Sequence, residues 1–309
     1  MAGDEPLARR ENRVGGFDAE GTRSYLQRAE ELGFEGGWTL EGTVSEAPLI
    51  APLELLSWAA SCTTRLRLGV AVLITSLHDP LQLASAATAV DQLSHGRLDL
   101  GVAPGGGFRP FAAFGVERQT FIRSFTEGLE LMKAAWSDEP RVTFHGSFRD
   151  VDDLPFQPKP VQRPHPPIWF GGTAPPALAR AVRLGDAFLG AGSSSTETFA
   201  GVAKVVRREI AERGKANFTI GKRVYLMIDD DAARARERAL AGLRRIYGPK
   251  MPGLETFPVY GPPDDVVRGL REVIDAGAEM VLLNPVGADV GEDREQMERL
   301  AAEVIPQLT

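Results

Sequence analysis

Apolar positions along this chain fall by turns into helical spacing and short unbroken runs. Tyr25, Ala29 and Leu32 stand four and three apart, which predicts a helix from about residue 18 that stops at Gly33, followed by a strand over 36–40. A helix over 51–61 precedes an apolar strand over 66–74. Asp79 and Pro80 then supply a cap and a first-turn proline for a helix carrying Leu83, Ala87 and Val90. A strand over 98–102 follows, and Phe125, Leu129, Met132 and Trp136, spaced four, three and four, mark the next helix.

Residues 139–166 interrupt the beat. VTFHG and FRDV read as a small hairpin, and Pro155, Pro158, Pro160, Pro164, Pro166 and Pro167 punctuate the return. The rhythm then resumes: strand 168–171, helix 174–184, strand 187–189, and a helix from Thr196 with Phe199, Val202, Val206 and Ile210. A strand over 223–228, helices near 232–243 and 264–276, a strand over 280–283 and a final helix complete it.

Seven strands alternating with helices imply a parallel α/β sheet, either doubly wound or closed into a barrel. No dinucleotide fingerprint opens the chain, whereas glycines recur at strand C-termini, at 105–107, 171–172 and 190–192. That recurrence favours a TIM (β/α)8 barrel whose site is built from many strand ends. The eighth strand would be the first, before the helix at residue 18, where VGGF makes a divergent or missing strand. Residues 1–309 are therefore expected to form one barrel domain with 139–166 inserted.

Charge narrows the partners. The chain has 35 basic and 42 acidic residues and no Lys/Arg block, which argues against nucleic acid and anionic membranes and leaves a small-molecule substrate. Cys62 is the single cysteine, so an internal disulfide is excluded and a buried structural thiol in a reducing compartment is expected. Four scattered histidines make no metal site. The charged opening segment has no apolar core of a secretory signal and no apolar run approaches membrane-spanning length, so a cytoplasmic protein is expected.

Candidate chemistry gathers at the strand ends. Gly105, Gly106 and Gly107 follow the strand at 98–102 after Pro104, and glycines there let backbone approach a ligand closely. Glu41, just past the second barrel strand, and His78, just past the third, are the acid/base candidates, histidine for its near-neutral pKa. His78 also reads as a residue leading into a helix. His95 falls at the opposite end of the barrel, and His145 and His165 belong to the insertion.

Five fragments in order resemble the luciferase-like flavin monooxygenases, a family that also holds deazaflavin-dependent dehydrogenases and reductases. They are AEELGFEGGWTLE (29–41), TRLRLGVAVLITSLHDP (64–80), LSHGRLDLGVA (93–103) followed by AFG (113–115), PKPVQRPHPPIWFGGTAPPALARAVRLGDAF (158–188) and GPPDDVVRGLREVIDAGAEMVLLNP (261–285). The resemblance implies a flavin ring across the C-terminal mouth of the barrel, near Trp38 and the glycines at 105–107. It also implies a bulged third barrel strand with a cis bond between Ala71 and Val72 beneath the ring. The cofactor phosphate is expected at Gly171, Gly172, Thr173 and Ala174, where a helix N-terminus favours an anion and Thr173 adds a hydroxyl or caps the helix.

Three positions depart from the family pattern. Gly42 and Thr43 stand where two histidines follow the glutamate in one branch, and Pro104 stands where the flavin branch often has a phosphate-binding arginine, with Arg109 five residues later. The expected activity is that of an FMN-dependent monooxygenase inserting one atom of O2 into a small organic substrate, fed by a flavin reductase, in a homodimer. Coenzyme F420-dependent hydride transfer and a catalytically silent flavin-binding protein are the alternatives.

Overall fold

The computed structural model describes residues 17–43, 49–106 and 111–308. Helix α1 (Ala19–Glu31) is capped by Asp18, whose carboxylate accepts from Gly21 N, and it leads into strand β1 (Gly36–Thr39). Next come α2 (Pro52–Cys62), β2 (Arg67–Ile74), α3 (Pro80–Leu93), β3 (Leu98–Ala103) and α4 (Phe121–Trp136). The insertion forms the hairpin strands β4 (Arg141–His145) and β5 (Asp150–Pro155), paired antiparallel and apart from the main sheet. The alternation continues with β6 (Ile168–Phe170), α5 (Pro175–Leu184), β7 (Ala187–Gly190), α6 (Thr196–Arg213), β8 (Thr219–Ile228), α7 (Ala232–Tyr247), β9 (Val259–Gly261), α8 (Pro263–Asp275), β10 (Met280–Pro285) and α9 (Val290–Arg299).

Seven parallel strands run in the order β1-β2-β3-β6-β7-β8-β10 and curl into the expected barrel architecture, with β9 added against the end of β8. Among the described residues β1 and β10 are its edges. Phe17 makes a β bridge just before α1, and residues 1–16, where the sequence puts the divergent first strand, lie outside the described part. No helix among the described residues is long and apolar enough to cross a membrane.

One boundary and one element differ from the sequence reading. Strand β8 starts at Thr219 rather than 223 because Gly221 and Lys222 break its apolar run, and β9, only three residues long, is not among the seven expected strands. The helix starts agree where caps are explicit. Asp79 accepts from Leu81 N at 3.0 Å and Gln82 N at 3.2 Å, so α3 begins at Pro80 as expected.

Packing sets the barrel's two ends. Trp38 and Trp169 meet edge to face at 5.3 Å inside the barrel, over Gly69, where any Cβ would fall 2.2 Å from the Trp38 ring. Below them Arg67 pairs with Asp99, which also accepts from Trp169 Nε1. Outside, Trp136 donates to Thr88 and joins α4 to α3. The buried Asp91 carboxylate accepts from the backbone of Val161 and Gln162, tying the proline-rich return of the insertion to α3. Cys62 is buried and unoxidised.

Candidate functional site

The candidate site is the C-terminal mouth of the barrel. Side chains alternate along a strand, so residues two past the buried Trp38, Gly69, Gly101, Trp169, Leu189 and Gly221 point into the same interior, one layer higher. Those are Leu40, Ala71, Ala103, Gly171, Ala191 and Arg223, and all of them are partly or fully exposed, whereas the layer beneath is buried. The barrel thus opens over a floor of small apolar residues with one guanidinium on its wall. Arg223 Nε donates to Asn284 Oδ1 at 3.0 Å across the β8–β10 pair.

A bulge shapes one side of that floor. The β2–β3 register shifts between Val70 and Leu73, and the Ala71–Val72 peptide within the bulge is cis, as the resemblance implied. The bulged backbone presses on β3: a Cβ at Gly101 would stand 2.0 Å from the Val70 carbonyl oxygen. Only a glycine admits that carbonyl. The loop after β3 continues the opening. Gly105 has φ +85°, and Gly106 is exposed with nothing within 4 Å of a Cβ built on it. Gly107 and Arg109 lie outside the described residues.

The two acid/base candidates meet. The Glu41 side chain is fully buried and accepts from Thr43 Oγ1 at 2.6 Å, from Ile74 N at 2.5 Å and from His78 Nε2 at 2.8 Å. A carboxylate only accepts, so Nε2 carries the hydrogen, and Nδ1 is the ring nitrogen that faces away from Glu41. Burial by itself would raise the Glu41 carboxyl, but the bonds from His78, Thr43 and Ile74 outweigh it and hold the group below its ordinary pKa. His78 is one-third exposed and stands between two cavities. One, of about 380 Å³, lies on the Glu41 side under α2. The other, of about 500 Å³, is walled by Phe114, Phe121 and by Phe148 and Arg149 from the hairpin turn. Both lie in the range of small-molecule pockets.

At the next strand end, Gly172 takes φ +134°, and Thr173 and Ala174 are exposed. Ala174, not Thr173, caps α5, and it forms no side-chain cap bond. Pro175 and Pro176 have no N–H, and Ala177 N is already bonded to Ala174 O at 2.8 Å. The first turn of α5 therefore offers an anion no backbone donor of its own. The donors here are the N–H groups of the loop itself and the Thr173 hydroxyl.

Trp38 stands apart from these. It is 3 % exposed and packs in the layer below the floor, so the structure places it as barrel filling beneath the mouth. Lys222 is the residue that sequence reasoning missed. It is 2 % exposed on β8, and its Nζ reaches the loop after β7, donating to Ala191 O, to Ser194 O at 2.9 Å and to Ser194 Oγ at 3.0 Å. Burial, with repulsion from Arg223 added, pushes its ammonium down to about 7. The signal was present: two adjacent cations inside an otherwise apolar strand.

The family model described as luciferase-like monooxygenase matches residues 6–280. The FMNH(2)-dependent dimethylsulfone monooxygenase of Pseudomonas putida is 27 % identical over 237 residues, 71 % of this chain and 61 % of that protein. The F420-dependent glucose-6-phosphate dehydrogenase of Kineococcus radiotolerans is 28 % identical over 228 residues, 69 % of this chain and 65 % of that protein. The matched region thus spans less than two thirds of the length of either relative. Among solved structures, monooxygenase RslO1 from Streptomyces bottropensis superposes with a TM-score of 0.85 at 23 % identity, over 100 % of this chain and 99 % of that one, a likeness of fold.

Proposed function

The chain belongs to the luciferase-like monooxygenase family, whose members are flavin- or deazaflavin-dependent oxidoreductases, and on that premise we propose that it is an FMN-dependent monooxygenase acting on a small organic substrate. The observation that carries the reading is the open floor of Ala71, Ala103, Gly171 and Ala191 over a closed aromatic layer, flanked by the bulge of β2. A flat tricyclic ring fits such a floor, since side chains larger than these would fill it. Arg223 adds positive charge to the seat, which suits an anionic cofactor. The phosphate end would be held by the N–H groups and hydroxyl of residues 171–174.

When bound, the reduced flavin supplies the electrons that activate O2, and one oxygen atom reaches the substrate. The protein's own residues do the rest. The floor and the aromatic layer beneath it exclude water from one face of the ring. The cavity beside His78 receives the substrate. Glu41 orients His78 through Nε2, so that Nδ1 can take or return a proton at the substrate. A flavin reductase would deliver the reduced cofactor, and we extend the proposal to a homodimer.

Titration of the purified protein with FMN, reduced FMN and F420, followed by reduced-flavin turnover with aldehyde, sulfonate and aromatic substrates, tests this. FMN binding with substrate-accelerated oxidation is expected. Tight F420 binding without FMN binding would move the chain to the hydride-transfer branch, where its Kineococcus relative stands. Flavin binding with no turnover on any substrate would leave a flavin-binding protein.

A further inference from the structure

A buried lysine with no acidic partner is costly, because its hydration is lost and no opposite charge replaces it. Among the described residues Lys222 has no acidic partner; it lies on the face of β8 that meets α6, with its Nζ 5.8 Å from the Phe199 ring. Its three acceptors all belong to residues 191–194, the loop that joins β7 to α6. The same loop is backed on its inner side by Tyr225, because a Cβ at Gly192 would stand 2.5 Å from that ring. The loop is thus gripped from both faces of β8, and its first residue, Ala191, is part of the floor of the mouth.

We propose that Lys222 is a positioning residue that clamps residues 191–194 to β8 and so fixes the β7 wall of the cofactor seat. The inference rests on the mouth being a cofactor seat, as proposed above. The chemistry of the clamp is a matter of counting. An ammonium has three protons, and the loop presents three oxygens, so the charged form satisfies every acceptor. The neutral amine has two, and one oxygen is left without its donor. Burial outweighs those bonds and holds the titration near 7, so the seated side chain sheds its proton above that pH while a released lysine stays charged, and the clamp strengthens as pH rises from about 7.

The neighbours leave little else to titrate in that range. β7 pairs Gly190 with Lys222, β10 pairs Val281 with it, α6 packs Phe199 on it and carries the exposed Glu197 in its first turn, and β8 itself contributes Arg223. Arg223 stays charged throughout.

The test compares the full chain with Lys222→Met and Ser194→Ala. FMN dissociation constants are measured by flavin fluorescence between about pH 6 and about pH 8.5, and amide exchange of residues 191–195 is measured in the cofactor-free protein. Wild type is expected to bind FMN several-fold more weakly at the acid end. Lys222→Met should bind about tenfold more weakly at the alkaline end, lose the pH dependence and exchange its loop amides faster. Ser194→Ala, which keeps the fold and removes one acceptor, should fall between the two. Wild-type affinity, pH profile and exchange in Lys222→Met would overturn the clamp, and should that variant not fold, the same result for Ser194→Ala does so. A wild type that binds no FMN at any pH overturns the cofactor reading instead, while unchanged loop exchange in the variants still decides against the clamp.

Discussion

Replacement of Gly101 by alanine tests the floor of the site most directly. The added methyl would lie 2.0 Å from the Val70 carbonyl oxygen and 3.3 Å from Val72 Cγ1. An ordinary contact begins near 3.4 Å, so backbone must retreat by about 1.4 Å, and β3 cannot give way because it pairs with β2 on one side and β6 on the other. Overpacking of this kind costs about 3 kcal/mol, the upper end of the usual range, since backbone rather than a side-chain tip must move. In a chain of this size that corresponds to a fall in Tm of about 5–10 °C. The displaced segment is the bulge at 70–73, so FMN affinity should drop by about tenfold, which is about half of the strain expressed as binding energy. Calorimetry and a fluorescence titration read the two effects on one preparation. Gly201→Ala, in the middle of α6 with nothing within 4 Å, is the control and should gain a few tenths of a kcal/mol or more from helix propensity. A Gly101→Ala protein that melts with wild type and binds FMN equally well would refute the claim that the Val70 carbonyl is locked against β3.

Three more outcomes follow from the same geometry. Glu41→Gln should cut turnover about a hundredfold while FMN affinity stays within about threefold, because it disturbs the orientation of His78 and not the floor; unchanged kcat removes the dyad from the mechanism. Thr173→Ala should weaken FMN by about tenfold or more, one hydrogen bond to a charged group, and leave riboflavin affinity untouched, since riboflavin has no phosphate; equal loss for both ligands would take Thr173 off the phosphate. Asp229, gripped by Arg234 and Arg238 and by Asp231 N, is held well below the usual carboxylate range, chiefly by Arg234. Its folded pKa is depressed, so its stabilisation is present above the unfolded value near 3.9 and is lost as pH falls below it. Asp229→Asn should therefore lower Tm at pH 7 and flatten the acid limb of stability, and an unaltered acid limb would show that this carboxylate is not coupled to folding.

Much of the scaffold was legible because helical and strand periodicities are local. Asp79 and Pro80 mark the start of α3, the Phe125–Trp136 stripe marks α4, and the first hairpin strand sits where VTFHG places it, while the second, Asp150–Pro155, shares only Asp150 and Val151 with FRDV. The site was legible only in pieces. Glu41 and His78 stood as separate candidates, since nothing in the spacing of residues 37 apart says that Nε2 and Oε1 lie 2.8 Å from each other. The Gly-Gly-Thr-Ala segment was read as a helix N-terminus with free donors. The two prolines and the bond from Ala177 N remove those donors and leave the loop itself.

By itself, then, the chain determined the order of its elements, their amphipathic faces and the end of the barrel that carries glycines. These depend on contacts a few residues apart. The tertiary structure decided which strand ends converge, that Trp38 fills the layer below the mouth, that Gly101 exists to admit a carbonyl from β2, and that Lys222 is buried against a loop about 30 residues earlier. Each of those depends on distances between segments remote in sequence, and such distances exist only once the sheet has curled and its layers have packed.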